Sequence, residues 1–207
     1  MLKTQEFIDR IEELSIKFNR EFENCDEVTL NFRPNEKSWS IAQILDHLNK
    51  VNESYFPIFI QLQKEKYTRP LTGRFGFLVN FFGKTILKSV QPENEKKSRT
   101  FPKWQPEEKR FSEEILIEFN AVQEQLKNHI EKSEVLLNQK AIISSPANKY
   151  IVYRLETAFQ ILQAHEERHF QQAKKLLKVR NSTCKSSFSS YLVLFLGKID
   201  FHKDYFL

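Results

Sequence analysis

Two imidazoles and an amide stand where an apolar seam should run. Along residues 151–178, heptad spacing gives Ile151, Leu155, Ala158, Leu162, His165, His169, Gln172 and Leu176. The apolar members recur with helical periodicity, yet three successive seam positions are His, His and Gln. A polar group in a core seam costs free energy unless something satisfies it. Two histidines four residues apart leave a helix in the same direction, at the spacing that two ligands of one metal ion need. The other reading is a half-exposed helix whose histidines face water. For a lone HxxxH pair that second reading is the better one, because short motif matches arise often by chance.

Composition narrows the setting. The chain has 207 residues with 40% apolar content, enough for one core. Four glycines and seven prolines permit long helices, and nineteen phenylalanines make a bulky interior. Cys25 and Cys184 stand alone, so neither a disulfide framework nor a zinc-finger spacing is present. Residues 1–20 are charged and amphipathic, without the apolar stretch of a signal peptide. No apolar run reaches the ~20 residues of a membrane-spanning helix. A cytoplasmic protein is expected. The net charge of +5 is uneven: residues 61–110 hold twelve Lys/Arg against five Asp/Glu (+7), and the rest holds 20 against 22 (−2). No nucleic-acid motif accompanies the basic stretch, which reads as a solvated lysine-rich connection, and no nucleic-acid partner is expected.

Four amphipathic helices are predicted. The first covers residues 3–24, with Phe7, Ile11, Leu14, Phe18 and Phe22 on one face. Residues 25–38 form a loop around Arg33-Pro34-Asn35. The second helix has a capping box, Ser40 with Gln43, and a hydrophobic staple, Trp39 with Ile44. It runs to about Lys66, and Pro57 predicts a kink near residues 53–57. His47 flanks its apolar stripe; taken alone it reads as a partly buried, hydrogen-bonded side chain. The third helix begins near Ser112 as cap and carries His129 beside its stripe, which reads as structural or solvent-facing. A connection over residues 133–150 leads to the fourth helix, residues 152–179. Between the second and third lies a long crossover, residues 67–110, punctuated by Gly and Pro. Within it, residues 75–90 are strongly apolar. They are expected to pack over the bundle or to form a subunit contact, in a homodimer; a membrane-surface helix is the weaker reading. The domain is expected to cover residues 1–180. Residues 181–207 form a tail of unassigned role, and His202 within it is not promoted to a ligand.

This order of elements reads as an all-α four-helix bundle with one long crossover between the second and third helices. With Trp39-Ser40-Ile41-Ala42-Gln43-Ile44-Leu45-Asp46-His47-Leu48 and His165-Glu166-Glu167-Arg168-His169-Phe170-Gln171-Gln172, residues 5–179 resemble the DinB-like metalloenzyme superfamily. The resemblance implies an up-down-down-up bundle holding a divalent metal through one histidine of the second helix and an HxxxH pair of the fourth. Here these are His47, His165 and His169. Zinc or nickel suits three imidazoles and leaves a position open. Gln172, one turn past His169, is a candidate to contact a substrate or a metal-bound water. Asp46 and Glu166 point about 100° away from their histidine neighbours and are not counted as ligands. The resemblance further implies thiol-dependent S-transferase chemistry on a small-molecule substrate, with a low-molecular-weight thiol such as bacillithiol or mycothiol as cofactor. Metal-dependent hydrolysis is a second reading, weakened by the missing general base. A third is a non-catalytic metal-binding or stress-response interaction module.

Overall fold

The computed structural model describes residues 2–94 and 100–196, with side chains described as far as Ser182. It is mostly helical, with one small two-stranded sheet. In chain order the elements are α1 (Lys3–Phe22), α2 (Glu27–Leu30), α3 (Ile41–Gln63), α4 (Gly76–Val90), α5 (Glu114–Glu131), α6 (Glu134–Asn138), β1 (Ile142–Ser145), β2 (Asn148–Arg154) and α7 (Leu155–Leu196). The long helices α1, α3, α5 and α7 contact one another around a shared core: α3 with α5 and α7, and α1 with the same two.

Local chemistry accounts for the helix ends. Ser40 accepts from the Gln43 amide at 3.1 Å, and Gln43 Oε1 accepts from the Ser40 amide at 3.1 Å, the reciprocal pair that closes the start of α3. Ser40→Ala removes half of that pair inside a buried setting. A loss of about 1 kcal/mol is expected in urea unfolding. At its other end α3 stops at Gln63, short of Lys66. Glu65 turns into the left-handed region at φ 55°. The Glu65 amide then donates to Leu62 and the Lys66 amide to Gln61, a Schellman closure built without glycine. α3 runs through Pro57 without interruption. Pro57 and Glu53, whose carbonyl loses its helical donor, both lie on the exposed side, where water can serve that carbonyl. α1 has no side-chain cap of its own. Instead Glu134 of α6 accepts from both the amide and the hydroxyl of Thr4 at 3.0 Å, placing a carboxylate on the positive end of α1.

Four predicted elements are corrected. Residues 142–145 and 148–154 form an antiparallel hairpin, where a connection and a helix start were expected; α7 begins only at Leu155. The β-branched pairs Ile142-Ile143 and Ile151-Val152, with the aromatic Tyr153 after the second, suit a strand better than a helix. α5 starts at Glu114 with no side-chain cap from Ser112. The loop after α1 contains the short helix α2, capped by Asp26, which accepts from the Thr29 amide at 2.8 Å. α7 is assigned to Leu196, past the predicted end at residue 179; His202 lies outside the described residues.

The apolar segment within the crossover is α4. Its inner face lies on β2 and α7. Gly83 permits that approach: a Cβ there would sit 3.2 Å from Thr157 Cγ2 and 3.4 Å from Tyr153 Cβ.

The core falls into two apolar clusters. One gathers Ile11, Tyr55, Phe59, Leu126, Phe159 and Leu162; the other gathers Phe18, Phe22, Ile44, Leu48, Phe119 and Phe170. On α3, α5 and α7 the residues that fall between the two sets are polar: Asn52, Gln123 and Glu166, each at most 1% exposed. Glu166 Oε1 accepts from Asn52 at 2.8 Å and from Gln123 at 3.0 Å, so one carboxyl ties three helices together.

Candidate metal centre

The three histidines singled out by spacing and resemblance meet in space. His47 comes from the second turn of α3, His165 and His169 from α7. His165 Nε2 lies 3.2 Å from His47 Nε2 and 3.1 Å from His169 Nε2. For comparison, two imidazole nitrogens on a tetrahedral zinc, each about 2.0–2.1 Å from the metal, lie roughly 3.3 Å apart. Among the described residues this is the one group of potential ligands so arranged, and no carboxylate or thiol joins it.

Hydrogen bonding within the protein does not account for this convergence. His47 Nδ1 lies 2.7 Å from the Trp104 carbonyl, which can only accept, so Nδ1 carries the proton. A neutral His47 therefore turns a lone pair toward His165. The neutral ring of His165 has at most one proton on Nε2, and that atom faces two nitrogens. One of the two close contacts is left without a proper donor–acceptor pair in every neutral tautomer. A divalent cation at the centre satisfies all three lone pairs at once, and the bond from His47 Nδ1–H to a backbone carbonyl is the usual support of a metal-ligating histidine. The residues present fit the group.

Charging the imidazoles is not an alternative solution. Burial pushes the pKa of all three down, with the neighbouring rings adding to the effect on His165 and His169. His169 is held at about 3. His165 keeps part of its surface in solvent while its Nδ1 is fully buried. Neutral imidazole is the form that binds metal, so burial prepares the site across the physiological range.

The crossover holds this geometry in place. Trp104 Nε1 donates to Ser54 Oγ at 3.0 Å, Lys50 Nζ donates to the Gln105 carbonyl at 3.2 Å, and the Glu107 amide donates to Asp46 Oδ2 at 2.8 Å. Residues 104–107 are thus strapped along α3, and the strap delivers the Trp104 carbonyl to His47. Asp46, which spacing separated from the ligand set, serves the strap. On another side the Trp39 ring lies 4.9 Å from His47 and stacks on His169 at 6.2 Å, between ring centres. Gln172 is exposed one turn beyond His169. It opposes the lowering of the His169 pKa slightly but closes no hydrogen bond on His169 Nδ1. His129 is elsewhere, its ring 4.9 Å from Phe56 and 5.7 Å from Phe59, a packing role. Glu166, adjacent to His165, turns into the polar layer, as the helical angle required. Its burial and its amide partners were not legible from spacing, nor was the Trp104 carbonyl, since a backbone donor or acceptor carries no residue-type signal.

Two helices of a mostly helical chain thus bring together three histidines that could hold a metal ion. Residues 11–173 match the family model of the DinB superfamily, and the chain belongs to that superfamily. No curated protein and no solved structure shows a significant match.

Proposed function

We propose that this protein is a divalent-metal-dependent enzyme that joins a small thiol to an electrophilic substrate. The observation that supports the reading best is the convergence of three neutral Nε2 atoms, one of them tautomer-locked by the Trp104 carbonyl. Its frame is an up-down-down-up bundle of α1, α3, α5 and α7 within residues 1–180, in the cytoplasm, and α7 continues beyond that frame to Leu196. Zinc or nickel is the cation that suits three imidazoles with an open position. When bound, such a cation supplies Lewis acidity that lowers the pKa of a thiol or water beside it.

The chain's own residues then set the reaction class. His47, His165 and His169 present lone pairs and stay unprotonated. Trp39 covers one side of the pair His47 and His169 with an apolar ring. No carboxylate reaches the three nitrogens among the described residues, so none is placed as the general base that activation of water favours. A nucleophile arriving as an already acidified thiol needs no such base. Its sulfur forms the new bond to carbon, the leaving group departs with the bonding pair, and the thiol proton passes to solvent.

Protein purified without a histidine tag is expected to carry close to one zinc or nickel ion per chain, measured by elemental analysis. Less than ~0.1 per chain after reconstitution removes the site. The loaded protein, given a panel of low-molecular-weight thiols and a generic electrophile, is expected to consume thiol in a metal-dependent way. Full metal occupancy with no consumption of any thiol assigns the chain to the non-catalytic metal-binding modules instead.

A further inference from the structure

The crossover helix α4 is apolar on both sides. Its inner face, centred on Val79 and Gly83, is buried. Its outer face carries Phe77, Phe81, Lys84 and Lys88, which at 100° per residue fall within one narrow arc. Phe77 and Phe81 are 70% and 60% exposed, and Phe75 at the start of the helix and Leu71 in the turn before it are 53% and 70% exposed. With aromatic side chains of about 150–250 Å² each, this cluster presents roughly 400 Å² of apolar surface, the size at which a patch on a soluble chain marks an interaction site.

Charge identifies the occupant. From Lys66 to Pro92 the sequence contains Lys66, Arg69, Arg74, Lys84 and Lys88 and no Asp or Glu. All five cations are exposed, and among the described residues none forms an ion pair with an acid. A second copy of the chain is a poor partner for this face. Two-fold pairing presents the same patch from both sides and so brings cations to cations with no acid between. A helix ridge also offers no groove to receive a protein partner's anchoring side chain. Exposed aromatics ringed by long basic side chains suit the headgroup region of an anionic bilayer: the rings enter the acyl boundary while the Lys and Arg stems lie along it and their charges reach phosphate. No described helix is long and apolar enough to cross a membrane, so the contact is with the surface.

We propose that α4 and the turn before it form a docking surface for anionic lipid, using Phe75, Phe77 and Phe81 as the apolar insert and Arg74, Lys84 and Lys88 as the phosphate contacts. This inference stands apart from the metal site. The test is cosedimentation of the full chain with vesicles of phosphatidylcholine containing ~30% phosphatidylserine, against pure phosphatidylcholine vesicles. Binding is expected to be at least ~10-fold stronger to the anionic vesicles and to weaken in high salt, as surface charge attraction does. F77S/F81S and K84E/K88E should each lower the partition at least ~10-fold, with the circular dichroism melt unchanged because these side chains are exposed. No sedimentation with anionic vesicles overturns the proposal, as does equal binding by F77S/F81S. A doubled mass by light scattering that F77S/F81S returns to monomer, with no vesicle binding, overturns it in favour of a second copy.

Discussion

His165→Ala is expected to leave a folded protein that binds zinc or nickel at least ~100-fold more weakly, judged against the 10–100-fold typical of losing only an outer partner of a ligand. His165 is the shared vertex of the cluster: its Nε2 is the atom within 3.2 Å of both other rings. Removing it leaves His47 and His169 without the nitrogen that lies between them. Folding should survive because His165 Nδ1 bonds nothing and part of the residue is already at the surface. Two measurements check this. A chelator competition titration reads the affinity. A thermal melt with and without metal reads the stabilisation, about 2.7 kcal/mol for the wild type at a hundred times its Kd; the variant should show almost none at the same concentration. Unchanged affinity in the variant sinks the three-histidine site. Gln172→Ala is the contrasting case, since that side chain is exposed and closes no bond on His169 Nδ1.

The parts of this architecture that announce themselves in sequence are those set by side-chain type at short range. The capping box of α3 needs a hydroxyl and an amide three residues apart, and both are present at Ser40 and Gln43. The inward faces of α1 and α3 follow from apolar spacing, and so does the common direction of His165 and His169. What stayed hidden depends on backbone groups or on long-range contact. The end of α3 carries no glycine, because Glu65 adopts the left-handed turn itself; Lys140 does the same after α6. The hairpin owes its register to pairing of Ile143 with Tyr153 and Ser144 with Val152, which local helical spacing around Ile151 and Leu155 obscures. The seam reading erred at Ile151 for that reason; from Leu155, where α7 begins, its members turn inward except Gln172, which is exposed.

The polar layer beside the three histidines carries the other large expected effect, and it concerns pH. Glu166 is buried among helices, and burial raises its pKa from 4.5 to about 7, against the opposing bonds from Asn52 and Gln123. A carboxyl raised on folding contributes stability that is fully present below its unfolded pKa and is lost as pH rises through the folded value. The three histidines act in the opposite direction: their folded pKa values are lowered, so their contribution is present above 6.5 and is lost as pH falls. Comparing wild type with Glu166→Gln isolates the first effect, since the histidines are common to both. The amide cannot ionise. It can still accept from Asn52 and Gln123. In chelator-treated protein, urea unfolding is expected to show the wild type losing about 2 kcal/mol relative to the variant between pH 5 and pH 8. A gap that stays constant across that range means that Glu166 ionises as it does in the unfolded chain. The carboxyl would then have access to water, and the layer between the two apolar clusters would be hydrated rather than closed.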